Sequence, residues 1–329
     1  MAEESASLYQ TVAKIVPAKA FQEMGADEFV NNPIGTGPYR LKELRQNAFH
    51  LYEAFPESWR GAPKTQFARI VKIPEAASLV AAAKTGEVDL AYDIPADLED
   101  EVNADPNLST INFVRLSTHV IDLNYQKSSG IPEFENILVR HAINYAVDQD
   151  AINTAVSGGR ARISNGQLVT EGITGYNPNL KPYPFDLDKA KSLMAEAGAE
   201  DGFSAEMLTT RGTNGLIGEA VAGFLHEINI DVSINSAEFP VFLQTYLKGD
   251  RGAMFLWGTG FANFMDASEP MTFFVSTQRP QIKRMDVPEY DDLMAQAKVE
   301  LDPDKRDQFL QDAAVILREE APLIFLFNQ

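Results

Sequence analysis

The sequence predicts an α/β fold in which helices alternate with strands along most of the chain. Short apolar or alternating runs, typical of strands, are separated by longer segments that have helical periodicity and capping residues. The chain has 329 residues, and 45% of its residues are hydrophobic, so it can build sizeable cores. We see no internal repeat and no low-complexity linker. We therefore expect a globular protein of about two domains.

A turn and a hairpin open the pattern. Gly35-Thr36-Gly37-Pro38 precedes two segments that alternate apolar and polar residues, 39–44 and 50–54, which is typical of a β-hairpin. Two glycines so close together also suggest a phosphate-binding loop. That interpretation is disfavoured, because neither a third glycine with a helix behind it nor a GKS or GKT sequence follows. Pro38 also lacks the backbone donor that a phosphate site would use.

The later elements follow from capping residues and periodicity. Asn136, Asp148 and Asp186 each precede an apolar-periodic segment and predict helices that begin directly after them. Gly86 and the pair Gly158-Gly159 are typical helix ends. The predicted helices are 75–84, 137–146, 149–156, 187–197, 215–227, 239–247, 290–299 and 304–318. The predicted strands after the hairpin are 88–92, 120–125, 230–234, 253–257 and 323–327.

Charge and composition exclude several classes of function. The formal net charge is −19, with the acids spread along the chain, so the surface repels nucleic acid and anionic lipid. Without cysteine there is no disulfide framework, thiolate metal site or thiol nucleophile. The start at Met1 has no signal-peptide pattern, and no apolar run approaches a membrane span of about 20 residues. From these features we expect a soluble chain, either cytoplasmic or already processed.

The residues that could carry catalysis are few and scattered. The four histidines lie far apart, with no pair spaced to place two imidazoles on one helical face. No G-x-S-x-G motif is present, which disfavours one large class of serine hydrolases. The sequence therefore does not indicate an enzyme, a metal site or a cofactor.

Six segments in order identify a family resemblance. They are NPIGTGPYRL, KTGEVDLAYDIP, ENILVRHAINYAVDQDAI, GYNPNLKPYPFDLDKAKSLMAEAG, the D-x-x-K-R run at 302–306, and APLIFLFNQ. Together they resemble the extracytoplasmic solute-binding proteins of peptide and nickel type ABC importers, family 5. The resemblance implies a two-lobe, periplasmic-binding-protein-like architecture of type II with mixed sheets. It also implies that GTGPY is a turn of the larger lobe.

The resemblance also implies how the chain is divided. Members of the family carry further strands before the GTGPY region and continue past the segment that matches APLIFLFNQ. We therefore expect a truncated chain with an incomplete lobe I at 1–125, a lobe II at 126–321, and a return strand toward lobe I at 322–329.

The function that the resemblance implies is transport. Such a protein captures a small peptide or peptide-like solute in the cleft between its lobes and delivers it to a membrane permease driven by a separate ATPase. We expect no catalysis, no cofactor, no nucleic-acid partner, contact with the membrane only through the permease, and a monomer on the periplasmic or extracytoplasmic side. The alternatives are a family member that binds an opine, an oligosaccharide, a nickel complex or haem, and an unrelated two-domain α/β enzyme.

The candidate ligand-binding residues follow a predicted buried strand. In the family, the stretch that corresponds to 255–266 lines the cleft, so Trp257, with Gly258 and Thr259 behind it, is the first candidate. An indole offers a flat apolar face and one N–H donor. The alternative is that Trp257 is a core residue at the end of its strand.

Two charged residues complete the candidate site. Many peptide binders place an aspartate after such a tryptophan, where it meets the amino terminus of the ligand. Asp266 is nine positions further along, and a helix cap is the alternative role. Arg211, in the segment 209–214, follows a further predicted strand without assigned bounds and could hold a ligand carboxylate in a bidentate grip. The alternative is a solvated loop arginine.

Overall fold

The chain is represented by a computed structural model that describes residues 16–111, 116–124, 131–248, 252–258, 265–277 and 285–328. The described residues form two compact units, an N-terminal unit of residues 16–111 and a C-terminal unit of residues 116–328. The expected lobe boundary at residue 125 lies outside the described residues. The expected return strand, 322–329, corresponds to the last strand of the C-terminal unit.

The N-terminal unit contains a three-stranded antiparallel sheet of order β1-β2-β3. The pairing of β1 with β2 confirms the predicted hairpin, with an irregularity between Leu41 and Glu43. The carbonyl of Pro38 accepts from the N–H of Phe55, so the preceding turn closes onto the hairpin. The elements are α1 (Ala18–Met24), α2 (Ala26–Asn31), β1 (Tyr39–Arg45), β2 (Phe49–Ala54), β3 (Phe67–Val71), α3 (Ala76–Lys84), a 3₁₀ turn (Ala96–Leu98) and α4 (Glu99–Asn103).

The predicted strand at 88–92 is wrong. These residues are irregular, and the side chains of Leu90 and Tyr92 are exposed. Alternation of apolar and polar residues is a side-chain pattern, whereas a strand also needs a neighbouring strand for its backbone hydrogen bonds. Within the described part of this unit, the sheet consists of β1, β2 and β3.

The C-terminal unit is organised around a six-stranded mixed sheet of order β5-β9-β4-β8-β6-β7. Strand β6 runs parallel to β7 and β8, while β4 runs antiparallel to β8 and β9. The sheet confirms the predicted α/β class. The strands are β4 (Thr118–Leu123), β5 (Arg162–Ile163), β6 (Phe203–Thr210), β7 (Ile230–Ala237), β8 (Met254–Gly258) and β9 (Leu323–Asn328). The helices are a 3₁₀ turn (Pro132–Glu135), α5 (Ile137–Ala146), α6 (Gln149–Ser157), α7 (Leu187–Glu196), α8 (Thr213–His226), α9 (Phe239–Lys248), α10 (Ser268–Thr272), α11 (Pro288–Val299) and α12 (Pro303–Glu320).

Both faces of this sheet are covered by helices. One core cluster contains Phe255 and Trp257 of β8 with residues of α10, α11 and α12. The other contains Met254 and Leu256 of β8 with residues of α5 to α8. Burial on both faces explains why β9 is a continuous apolar run, LIFLF, with no alternation.

The predicted helix caps are confirmed by hydrogen bonds. The side chain of Asn136 accepts from the N–H of Leu138 at the start of α5. The side chains of Asp148 and Asp186 do the same at the starts of α6 and α7. Each such cap stabilises its helix by about 1 kcal/mol, because it satisfies a backbone N–H that has no partner inside the helix.

Arg140 on α5 is a buried cation that binds the end of α12. Its guanidinium donates to the carbonyl of Glu320 at 2.8 Å and to the carboxylate of Glu320 at 3.1 Å. It also donates to the carbonyls of Phe134 and Glu135, both at 3.0 Å. This one side chain therefore satisfies the last carbonyl of α12 and two carbonyls of the 3₁₀ turn before α5.

Two side-chain amides donate to carbonyls of β9 on the side that faces β5. Strand β5 pairs only with the last two residues of β9, so the earlier carbonyls on that edge need other donors. The amide of Asn144 donates to the carbonyl of Leu323 at 2.9 Å, and the amide of Gln149 donates to that of Phe325 at 2.6 Å. Polar residues on α5 and α6 thus take the place of a longer strand.

We expect Arg140→Met to lower the free energy of unfolding of the C-terminal unit by about 3 to 5 kcal/mol, because it leaves buried carbonyls and a carboxylate without their donor. The matched control is Arg162→Met, since Arg162 forms an exposed ion pair with Glu171. That change should cost less than about 1 kcal/mol. Urea denaturation followed by the fluorescence of Trp257 in a Trp59→Phe background measures both. Equal losses for the two variants would contradict the role assigned to Arg140.

Candidate functional site

Three parallel strands of the C-terminal unit end at one edge of its sheet. Strands β6, β7 and β8 run in the same direction, so Arg211, Glu238 and Gly258 lie at the carboxyl edge. Strand β4 is antiparallel to β8, and its first residues face the end of β8 at the same edge, with His119 opposite Gly258. In open α/β sheets, ligands bind outside the carboxyl ends of the parallel strands. We call this row of residues the carboxyl edge.

Arg211 forms an exposed ion pair at this edge. Its guanidinium lies 3.0 Å from a carboxylate oxygen of Glu238, and the two side chains are 69% and 67% exposed. The backbone holds the pair together, because the N–H of Arg211 donates to the carbonyl of Ala237 at 3.2 Å. The arrangement presents a cation and an anion side by side to solvent.

Gly258 marks a close approach of two strands. A Cβ atom at Gly258 would lie 2.9 Å from the hydroxyl oxygen of Ser117 and 3.8 Å from the ring of His119. A larger residue would therefore displace Ser117. Thr259, the next candidate residue, lies outside the described residues.

Trp257 is a core residue by its packing. Its side chain is 6% exposed, and its indole N–H donates to a carboxylate oxygen of Asp122 on β4 at 3.0 Å. The ring of Phe273 packs edge-on against it at 6.0 Å between centroids. Trp257 directly precedes Gly258, the last residue of β8.

Asp266 ties the segment before α10 to α12. Its carboxylate accepts from the guanidinium of Arg306 at 2.5 and 3.0 Å. It also accepts from the N–H and the hydroxyl of Ser268 at 2.9 and 2.6 Å. Burial alone would raise the pKa of Asp266, but the hydrogen bonds from Arg306 and Ser268 outweigh it and lower the pKa below its usual value.

Gly175 allows the neighbouring loop to pack against the same place. Thr174 pairs with the backbone on either side of Asp266, and the N–H of Gly175 donates to the carboxylate of Asp307 on α12 at 2.6 Å. Gly175 has a φ of +88°, and a Cβ there would lie 2.6 Å from the Cβ of Ala267. Only glycine fits this close contact without moving the loop.

The structure thus separates the sequence-based candidates into two groups. Arg211 and Gly258 lie at the carboxyl edge, while Trp257 and Asp266 have their polar groups bonded within the C-terminal unit. Sequence reasoning missed Glu238, Ser117 and His119, which lie beside Arg211 and Gly258. Each of these three residues lies near the start of a predicted helix or strand, and this position was the available sequence signal.

The described residues include a further surface cavity but no metal-binding cluster. No group of three or more His, Asp or Glu side chains there is arranged to hold a metal ion. None of the helices in the same residues has the length and apolar content that crossing a membrane requires. A surface cavity of about 350 Å³ lies at the amino ends of β6 and β7, away from the carboxyl edge, and is lined by His226 and Asp231.

We expect Trp257→Ala to lower the free energy of unfolding by about 3 to 5 kcal/mol, as for a large residue removed from a core. The control is Trp59→Ala, because Trp59 is 73% exposed, and it should cost less than about 1 kcal/mol. Urea denaturation and iodide quenching of each single-tryptophan variant measure the two effects. A loss below about 2 kcal/mol for Trp257→Ala, with ready quenching, would instead show a solvated indole.

We expect Asp266→Asn to destabilise the protein by about 1 to 3 kcal/mol at neutral pH, because it removes charge-assisted hydrogen bonds. A lowered pKa contributes stability that is fully present above the unfolded-state pKa and is lost as pH falls through the folded-state pKa. The difference between the natural protein and the variant should therefore narrow as the solution becomes strongly acidic.

Thermal unfolding measured across an acidic pH series tests this expectation. Asp188→Asn, an exposed carboxylate at the start of α7, is the control and should change stability by less than about 1 kcal/mol. A difference for Asp266→Asn that is constant with pH would contradict the electrostatic role of its carboxylate.

Comparison with known proteins places these features in a family. The sequence profile of the bacterial extracellular solute-binding proteins, family 5, matches residues 2–281. The dipeptide-binding protein of Escherichia coli strain K12 is 27% identical over 324 residues, which covers 94% of this chain and 58% of that protein. Heme-binding protein A of Haemophilus influenzae is 26% identical over 302 residues, which covers 89% of this chain and 54% of that protein.

A solved structure shows the same fold. The periplasmic binding protein DppA from Helicobacter pylori, in complex with the peptide STSA, superposes with a TM-score of 0.83 at 25% identity. The match covers 99% of this chain and 64% of that one, which confirms the predicted periplasmic-binding-protein-like fold. This chain spans less than two thirds of the length of each of these relatives. Because the family profile matches most of its length, the chain belongs to the bacterial extracellular solute-binding proteins, family 5.

Proposed function

We propose that this chain is the solute-binding component of an ABC importer that captures a small peptide or peptide-like solute. In this proposal, it works as a monomer on the extracytoplasmic side and hands the solute to a membrane permease driven by a separate ATPase. It breaks no bond and is not an enzyme. Residues 1–125 contribute to lobe I, 126–321 form lobe II, and 322–329 are a return strand toward lobe I.

The observation that carries the proposal is the family match over residues 2–281. The named functions of relatives support the peptide class, since one is a dipeptide-binding protein and others are glutathione-binding proteins. The solved relative from Helicobacter pylori holds a peptide. All of these ligands carry free amino and carboxylate groups.

The carboxyl edge offers chemistry that suits such ligands. Arg211 can donate two parallel hydrogen bonds to a peptide carboxylate, and Glu238 can accept from a peptide ammonium group. Gly258, with Thr259 behind it, would let the peptide backbone approach the end of β8 closely. Trp257 and Asp266 enter the proposal as supporting residues, because one holds the end of β8 and the other holds α10 against α12.

A second candidate is a family member with a non-peptide ligand. The heme-binding relative, at 26% identity over 89% of this chain, favours it. Haem carries two carboxylates but no ammonium group. Its carboxylates would bind Arg211, and the carboxylate of Glu238 would repel them. A binder of an opine, an oligosaccharide or a nickel complex remains the broader form of this alternative.

We expect titration calorimetry of this chain to detect binding of a dipeptide or of glutathione in preference to hemin. Arg211→Gln should weaken that binding about tenfold or more, because a charge-assisted bidentate contact is worth about 1.5 to 3 kcal/mol. The control is Arg45→Gln, since Arg45 forms a similarly exposed ion pair with Glu43 in the N-terminal unit.

Two outcomes would oppose the proposal. Tighter binding of hemin than of any peptide would favour the second candidate. Peptide binding that survives Arg211→Gln unchanged would keep the peptide class but remove Arg211 from the site.

A further inference from the structure

One part of this acidic chain is basic. Residues 40–72 contain seven lysines and arginines against three glutamates, a net charge of +4, whereas the whole chain carries −19. The segment coincides with the three-stranded sheet of the N-terminal unit, β1 to β3. Four of the seven cations lie on these strands, while Arg60 and Lys64 lie between β2 and β3 and Lys72 follows β3.

The pairing of the strands places four of the seven cations, with two of the three glutamates, on one face of the sheet. Residues directly opposite each other in an antiparallel pair share a face, as Arg45 and Phe49 do, and Arg69 lies opposite Leu51 on that same face. We call this surface the basic face; it carries Arg40, Lys42, Arg45, Phe49, Phe67 and Arg69, together with Glu43 and Glu53, so its net charge is +2. The other face carries Leu41, Leu44, Tyr52 and Ile70.

Aromatic rings hold the cations of the basic face in place. The guanidinium of Arg69 lies 4.2 Å from the centroid of the Phe49 ring, and that of Arg45 lies 5.1 Å from the same ring. Arg40 lies 3.8 Å from the ring of Phe55. Stacking fixes the plane of a guanidinium while its edge N–H groups still face outward.

Two of these guanidinium groups form no ion pair with a carboxylate of the described residues, although Glu53 is the residue directly opposite Arg40 on β2. Lys42 pairs with Glu53 at 3.1 Å, and Arg45 pairs with Glu43 at 2.7 Å. Among the described residues, no carboxylate lies within ion-pair distance of Arg40 or Arg69, and both side chains are exposed. Arg40 and Arg69 therefore present ordered donors that the sheet itself does not use.

We propose that the basic face binds an acidic segment of a partner protein. Arg40 and Arg69 lie on β1 and β3, so strand spacing separates their Cα atoms by roughly 12 Å. The guanidinium groups stack on Phe55 and Phe49, which flank opposite ends of β2, so a single small anion does not reach both, but a peptide segment with several carboxylates can. Each carboxylate would form bidentate hydrogen bonds with one stacked guanidinium.

The charge of the rest of the chain selects this partner over a large anionic surface. A membrane or a nucleic acid is much larger than the face, and the chain as a whole carries a net charge of −19, so overall charge opposes binding to such a surface. Screening limits the attraction of the face to about 8 Å at physiological ionic strength. A short acidic segment stays within that range, and this binding is independent of the solute at the carboxyl edge.

The test is fluorescence anisotropy of a labelled short poly-glutamate peptide titrated with the natural protein, with poly-glutamine as the uncharged probe. We expect binding of poly-glutamate alone, weakened by added salt. Arg40→Gln with Arg69→Gln should weaken it about tenfold, as expected for the loss of two charge-assisted contacts. The double variant Lys64→Gln with Lys72→Gln removes the same charge from the segment outside the basic face and should change binding much less.

A further variant distinguishes the effect of the stacked, planar guanidinium groups from the effect of positive charge alone. The double variant Arg40→Lys with Arg69→Lys keeps the charge but loses the planar guanidinium groups. Its affinity for poly-glutamate should therefore lie between that of the natural protein and that of the glutamine variant. Circular dichroism establishes that each variant is folded. Equal weakening by the two glutamine double variants, no binding of poly-glutamate, or binding to phosphatidylglycerol vesicles without binding of the peptide would each overturn the proposal.

Discussion

The buried guanidinium of Arg140 fixes the point at which α12 ends and β9 enters the sheet. It binds the carbonyl and the carboxylate of Glu320, and β9 begins three residues later at Leu323. Asn144 and Gln149, on the next turns of chain, bind the carbonyls of Leu323 and Phe325. Because β9 lies between β4 and β5, the register of β4 and the position of its first residues at the carboxyl edge depend on these contacts.

The carboxyl edge combines opposite charges in an otherwise acidic molecule. Glu238 beside Arg211 cancels most of the local positive charge, so a simple anion gains little by approaching. A zwitterion gains from both groups at once. Within the proposed function, the ion pair therefore discriminates by the arrangement of charges in a solute rather than by its net charge.

Local features of the sequence predicted the fold well, and distant contacts could not be predicted. The caps at Asn136, Asp148 and Asp186 depend on residues two or three positions away, so the sequence alone could show them. The prediction of a strand at 88–92 was wrong because the alternation of apolar and polar residues carries no information about a neighbouring strand. The mixed order of the central sheet likewise depends on pairings that no local pattern encodes.

The candidate-site residues also divide into those that the local sequence could indicate and those whose role depends on a distant partner. Arg211 and Gly258 could be chosen because each follows a predicted strand. The partner of Trp257 is Asp122, which is 135 residues earlier, and that of Asp266 is Arg306, which is 40 residues later. The local sequence around Trp257 and Asp266 does not show these partners. It therefore cannot distinguish a core tryptophan and a buried, paired aspartate from two residues that face a ligand.

The place of β9 in the sheet has a consequence for how the chain folds. Strand β9 lies inside the sheet, and β4, made about 200 residues earlier in the sequence, pairs with it along one side. Until residues 323–328 leave the ribosome, one edge of β4 has no partner, and apolar surface stays uncovered. Such long-range pairing makes folding slow and late, so aggregation of the nascent chain competes with it.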